Sequence, residues 1–338
     1  MILILNCGSQ SIKWKLFNYE PASISENKRE IFNLKEYQKI LNEELSKFRN
    51  VEIRFIGHRV VHGGKHFRPQ IITKKVFSEI KKFSKVAPLH NPFALLGIKA
   101  CQKKFKTVKQ IAVFDTGFFA DLPEKTKIYP LAESLIKKYQ IKRYGFHGIS
   151  HKYLAEKTAE LLNKPLKKIN LITFHIGGGT SITAIKKGKP IDTSMGFTPM
   201  EGLMMTTRPG DLDSGILFYL LNYINKDKLY QQLNFESGIK GLCGSSDIKD
   251  LLKRKDKKTK IALNCFVYRI QKYLSAYFGI LNEVDAIVFG GAAGFGSAKL
   301  RKMIVKNLKF LKNTKILKIN TDEELAIAKE VLKFVNKS

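Results

Sequence analysis

Asp192-Thr-Ser-Met-Gly-Phe-Thr-Pro-Met-Glu-Gly-Leu-Met-Met-Thr-Thr-Arg-Pro-Gly-Asp211 holds the chain's densest set of chemically useful groups. It has two aspartates, one arginine, three glycines and a row of hydroxyls around an apolar centre from Phe197 to Met205. Loops rich in Gly, Ser and Thr bring backbone N–H groups close to phosphate oxygens. One guanidinium beside an apolar patch suits a small substrate with an anionic head and a short greasy tail. The combination points to phosphoryl transfer onto a small carboxylate.

Other segments add candidates. In Gly57-His-Arg-Val-Val-His-Gly-Gly64, a segment expected to follow a strand, His58, His62 and His66 stand four apart, a spacing that on a helix makes a metal face. The Val-Val and Gly-Gly pairs argue against a helix, which favours Arg59, whose planar donor fork fits a carboxylate or phosphate. The plainer alternative for Arg59 is a surface salt bridge. Pro88-Leu-His-Asn-Pro92 is a rigid turn, and its Leu89 lines a pocket or belongs to the core. Asp115 follows the apolar run Gln110–Phe114 and so stands at a strand's C-terminal end, where α/β sheets place their ligands. Tyr144-Gly-Phe-His-Gly-Ile-Ser-His151 leads into a helix; His147 can donate to a transferring phosphoryl group or serve structure.

The elements that must position these groups alternate between strands and helices, which indicates an α/β protein. Ile2–Leu5, a turn at 6–10, and Ile12–Phe17 read as strand, turn and strand. The pattern returns as Leu171–Phe174, the turn His175-Ile-Gly-Gly-Gly-Thr-Ser181, and Ile182–Ile185, a weak repeat that suggests two related domains. Two ordinary hairpins are the alternative. Helical spacing covers 92–104, 151–163, 212–225, 261–282, 298–311 and 322–334. Asp285–Phe289 reads as a strand followed by a glycine loop at 290–294.

With 338 residues and 44% hydrophobic content, the chain has material for a large core and two domains. No apolar run of about 18 residues suggests a membrane span. The first residues carry no basic leader, and the four cysteines form no Cys-x-x-Cys pair; a reducing cytoplasm is expected. The net charge of +31 raises nucleic-acid or anionic-membrane binding. The lysines are dispersed, however, and the densest run, Lys253–Lys260, has no interleaved aromatics, so neither partner is expected.

Taken together, these motifs resemble the acetate kinase family. Asn6-Cys-Gly-Ser-Gln-Ser11, the 57–64, 88–92 and 144–151 segments, Phe114-Asp-Thr-Gly-Phe118, Asp192–Gly196, Thr198–Met205 and Thr321-Asp-Glu-Glu-Leu-Ala-Ile-Ala328 follow that family's order across nearly the whole chain. The resemblance implies two duplicated actin-like (ribonuclease H-like) α/β domains closing over a nucleotide in an interdomain cleft, one formed by 1–119 with 324–338 and the other by 120–323. It implies Mg²⁺-dependent, reversible transfer from ATP to acetate, giving acetyl phosphate and ADP, with Mn²⁺ as a substitute metal, in a homodimer joined through the second domain. Arg59 and Arg208 match the arginines that hold acetate and the moving phosphoryl, and His147 the histidine that stabilises the transition state. Asp115 matches the active-site aspartate, and Asn6 and Glu323 the magnesium-associated pair. Val61, Leu89, Phe146 and Pro199 match a methyl pocket. Lys13, the turn His175-Ile176-Gly177-Gly178-Gly179, Asp247-Ile248-Lys249 and Ala292-Ala293-Gly294-Phe295-Gly296 match elements that contact the nucleotide.

Acetate is already ionised at neutral pH, so the chemistry needs alignment of two anions and neutralisation of charge rather than a strong base. Asp115 then positions magnesium or an arginine, although the family role is often given as acid/base. One methylene is worth about 1–3 kcal/mol in such a pocket, which leaves propionate as a second acceptor. The departures from the family pattern fall on the donor side: Gly178 where Asn is expected, Lys249 for Arg, Thr206 and Pro209 beside Arg208, and 292–296 without the usual Glu and Asn. The chain is also short between Lys13 and Arg59 and between Ser297 and Thr321. GTP or pyrophosphate as donor, and a non-catalytic nucleotide-binding protein on the same fold, are the other two readings.

Overall fold

The computed structural model describes residues 1–19 and 22–337. Contacts divide the chain into two compact units: Met1–Ala120 with His147–Ile149 and Asp322–Ser338, and Asp121–Phe146 with Ser150–Thr321.

The first unit is built on a six-stranded sheet of β1 (Ile2–Cys7), β2 (Ser11–Phe17), β3 (Ser23–Glu30), β4 (Phe55–Val60), β5 (Gln70–Ile71) and β6 (Lys109–Phe114), in the order β3-β2-β1-β4-β6-β5. β1 is apolar without alternation because both faces of a central strand are covered. Ile2 and Ile4 join Ile111, Val113, Ile327 and Val331 under the helix Glu323–Val335. Leu3 and Leu5 face Trp14, Tyr37, Leu41 and Leu45 on the opposite side. Gly57 admits that C-terminal helix: a β-carbon there would lie 2.6 Å from Ile4 and 2.9 Å from Val331.

The second unit carries β7 (Leu171–Ile176), β8 (Thr180–Lys186), β9 (Lys189–Thr193), β10 (Ala286–Gly290) and β11 (Lys315–Lys318), in the order β11-β10-β7-β8-β9. β7 runs antiparallel to β8 and parallel to β10, as β1 does to β2 and β4. Read outward from β1 and from β7, five strands follow the same sequence of antiparallel and parallel neighbours. The weak repeat in the sequence is therefore a repeated sheet topology. The 25-residue helix Lys257–Leu281 covers this sheet with Ala262, Phe266, Ile270 and Leu274.

Several local expectations need correction. Gly57, His58 and Arg59 lie within β4 rather than after a strand. His175 and Ile176 are the last residues of β7, so the glycine turn is only 177–179. The stretch 290–294 is not a loop. Gly290 ends β10, Gly291 turns at φ +74°, a region that favours glycine, and Gly291–Gly296 is helical. The helix expected over 298–311 stops at Val305, where Lys306 is extended and Asn307 left-handed.

Candidate active site

Arg59 leaves β4 and Asp115 follows the end of the neighbouring parallel strand β6, so adjacent strands deliver both side chains to one place. Arg59 Nε donates to Asp115 Oδ1 at 3.2 Å and Nη2 to Oδ2 at 2.8 Å, a two-point fit of planar groups. Nη1 lies 2.8 Å from Glu323 Oε2. Burial alone would pull the Arg59 guanidinium down, but Asp115 and Glu323 hold it above its ordinary value. Burial pushes the Asp115 carboxyl up, and Arg59 draws it part of the way back.

The C-terminal helix supplies more acid. Asp322 caps it by accepting from Leu325 N at 2.9 Å and is itself held by Lys15 at 2.9 Å. Glu323 and Glu324 occupy the first turn, where the helix dipole favours negative charge. Glu324 is the buried member and accepts from Asn6 Nδ2 at 3.0 Å. The family resemblance pairs Asn6 with Glu323; the hydrogen bond from Asn6 goes to Glu324, the second of the two adjacent glutamates after the capping aspartate.

Asp115, Glu323 and Glu324 thus outnumber the one guanidinium among them. Among the described residues, no group of three or more His, Cys, Asp or Glu is arranged to hold a metal unaided. Magnesium needs no such cage, since it takes one or two carboxylates together with phosphate oxygens and water. An all-oxygen set with surplus negative charge fits it.

His147 adopts φ +58°, a left-handed conformation that is costly for a side-chain-bearing residue. Its neighbour Gly148 lies so close to the Asp115 carbonyl that a β-carbon would collide with it. The first unit therefore gathers Asn6, Arg59, Asp115, Glu323, Glu324 and the backbone at 147–148. Val61 is buried and Leu89 half-buried in the same unit. Lys13 pairs across β1 and β2 with Asn6. The three histidines form no metal face. His58 bonds Gln110 at 2.8 Å, while His62 stacks on Phe83 and His66 on Phe114.

The second unit presents Arg208. Nη1 donates to the Pro199 carbonyl at 2.7 Å, and Nε is buried with no hydrogen-bond partner among the described residues. Among the described residues no carboxylate pairs with it, and burial pushes its pKa down to about 10. Gly238, at φ +61°, lets the backbone at Arg208 pack closely, since a β-carbon there would lie 2.6 Å from the Arg208 carbonyl oxygen. Thr206 Oγ1 donates to the Gly178 carbonyl at 2.9 Å, tying the 177–179 turn to the segment that carries Arg208. His175 Nδ1 lies 2.8 Å from Ser150 Oγ. The helix Gly291–Gly296, which carries Ala292, Ala293, Gly294, Phe295 and Gly296, packs on Ile176 through Gly291 and Gly294. Asp247, in contrast, uses its carboxylate to cap Lys249 N and Asp250 N, and Ile248 belongs to the core. Phe146 is buried in this unit.

Comparison with known proteins gives a consistent result. A solved acetate kinase from Porphyromonas gingivalis superposes with a TM-score of 0.87 at 32% identity, covering 99% of both chains. A propionate kinase from Francisella tularensis superposes with a TM-score of 0.89 at 35% identity, covering 97% of this chain and 98% of that one. An acetate kinase of Sulfurovum sp. is 39% identical over 97% of each chain. That alignment spans 385 positions against 338 residues here, so internal segments of the relative are missing from this chain. The protein is thus an α/β phosphotransferase of the actin-like class. The acetokinase family model matches residues 26–331, and the chain belongs to that family.

Proposed function

We propose that this protein is an acetate kinase, transferring the γ-phosphoryl group of ATP to acetate and, in reverse, from acetyl phosphate to ADP. The observation that carries this reading is Arg208, a half-buried guanidinium with a buried, unused Nε–H and, among the described residues, no acid to neutralise it. A buried N–H left without an acceptor on a cation without an acid is costly unless a ligand completes it, and the matching ligand is an anion. The acetate oxygen that attacks is already ionised, so the protein's work is to align the two anions and offset charge on the moving group.

In this reading Arg208 binds the transferring phosphoryl, and Arg59, steered by Asp115 and Glu323, holds the acceptor. His147 donates to an equatorial oxygen as charge develops there. Val61, Leu89, Phe146 and Pro199 limit the acceptor's tail. Lys13, the turn at 177–179 and the helix at 291–296 contact the nucleotide. Asn6 and Glu323, with Glu324 beside them, would hold Mg²⁺ or Mn²⁺, which when bound neutralises phosphate charge. The acid around Arg59 supports this, since it exceeds what one guanidinium offsets. Excess chelator should abolish turnover, and added Mg²⁺ should restore it.

The propionate kinase among the structural relatives supports propionate as a second acceptor. A homodimer is proposed through the helix Ser214–Leu221, which buries none of its residues and exposes Ile216, Phe218, Tyr219 and Leu221. Four free cysteines fit a cytoplasmic setting.

The test is trapping of acyl phosphate as hydroxamate, with acetate or propionate as acceptor and ATP, GTP or pyrophosphate as donor. Product with acetate and ATP supports the proposal. Product only with another donor moves the reading to that donor. No product with any of them would overturn it in favour of a non-catalytic nucleotide binder.

A further inference from the structure

The Pro199 carbonyl that orients Arg208 is held from both sides. Two residues before it, Phe197 N donates to the Tyr129 hydroxyl at 2.8 Å. Two residues after it, Glu201 is fully engaged: Oε2 accepts from that same Tyr129 hydroxyl, and Oε1 accepts from Arg143 Nη2 at 2.6 Å. Arg143 has no slack. Nε donates to the Thr126 carbonyl at 3.1 Å, Nη1 to that of Thr193 at 3.1 Å, and the guanidinium lies over the Tyr129 ring. Gly196 leaves room for this arrangement, because a β-carbon there would collide with the Glu201 carboxylate and the Tyr129 hydroxyl. Its carbonyl in turn accepts from Tyr144 N at 3.0 Å. Behind Glu201, Gly202 and Asp211 exchange backbone and side-chain hydrogen bonds at 2.8 Å.

A loop would ordinarily let Pro199 drift. Here a phenol, a carboxylate and a guanidinium tie down the residues on either side of it: each Glu201 carboxylate oxygen accepts one hydrogen bond, and the Tyr129 hydroxyl both donates and accepts. The product of this network is one fixed carbonyl, and that carbonyl receives a hydrogen bond from Arg208.

We propose that Glu201, with Tyr129 and Arg143, is a positioning element for Arg208: it touches neither substrate and acts by fixing the Pro199 carbonyl that sets where the guanidinium sits. This rests on the acetate kinase reading, in which Arg208 meets the moving phosphoryl. A misplacement of about 1 Å costs on the order of 100-fold, so the brace has a large effect to exert.

The test is a double-mutant cycle on turnover, with Glu201→Gln and Tyr129→Phe each made alone and with Arg208→Ala. Each brace variant alone should lower kcat by about 10- to 100-fold, with KM for the nucleotide nearly unchanged. In the Arg208→Ala background each should cost less than about 2-fold, because its effect runs through a side chain already gone. An equal fold-loss in both backgrounds would overturn the brace while leaving the acetate kinase reading intact, as would undiminished kcat in both single variants. Normal turnover in Arg208→Ala alone would sink both. Tyr129→Phe removes a single oxygen, so it carries the test even if Glu201→Gln folds poorly.

Discussion

Arg59 and Asp115 meet through two nearly parallel hydrogen bonds, at 3.2 and 2.8 Å, and Asp115 is only 1% exposed. Arg208, the other arginine of interest, has no acid at all among the described residues. The two guanidinium groups therefore stand in opposite electrostatic situations, and their substitution should have opposite consequences for folding.

Asp115→Ala strands Arg59 with Glu323 as its remaining partner. Breaking a buried pair from one side costs about 3–5 kcal/mol, and the surviving contact places this case near the lower end. Urea denaturation should show that loss together with loss of turnover. A change below about 0.5 kcal/mol would mean that the pair behaves like an exposed one.

Arg208→Ala removes a half-buried charge without orphaning an opposite one. Turnover should fall by about 10²–10³-fold, as it does on loss of a charge-stabilising donor. The denaturation midpoint should stay at or above that of the parent protein. Near-normal turnover would take Arg208 out of the mechanism, and a large stability loss would contradict its unpaired state.

His58 gives a pH dependence. Burial pushes its imidazole from 6.5 down to about 4, against a smaller opposing effect from Gln110. Between those values the unfolded chain binds a proton that the folded one refuses. Stability should therefore be intact above pH 6.5 and decline as pH falls toward about 4, by up to about 1.4 kcal/mol per pH unit from this group. His151, buried between Thr173 and Ser181 hydroxyls, adds to the same decline. Urea midpoints of His58→Gln across that range should fall less steeply than those of the parent. An identical slope would show that His58 takes no part.

Phe218 and Tyr223 are 72% and 73% exposed. Replacing both with Glu should convert a dimer to monomer in light scattering and leave the unfolding midpoint of the monomer little changed. An unaltered mass would move the subunit contact elsewhere.

Local patterns made much of this molecule legible. Ile2–Leu5, Gln110–Phe114 and the helical spacing at 261–282 announce buried elements, and Asp115 at a strand end follows from the second of these readings. β3 was missed because it is almost wholly exposed and polar, and β9 because it is short and carries Pro190. Gly291–Gly296 has loop composition, and packing on Ile176 overrides it. Glu324 stands in plain view beside Glu323, but its contact with Asn6 spans 318 positions; Tyr129 and Arg143 gave no signal because their partners lie 72 and 58 positions away, and no local spacing encodes such pairings.

The helix Glu323–Val335 covers Ile2, Ile4, Ile111 and Val113. Translation makes those side chains before their lid, so they wait on the ribosome with one face wet while the other unit is synthesised in between. Nascent chains of this protein should therefore engage chaperones until that helix emerges. A premature stop a few codons before Glu323 should give aggregation rather than a merely inactive enzyme.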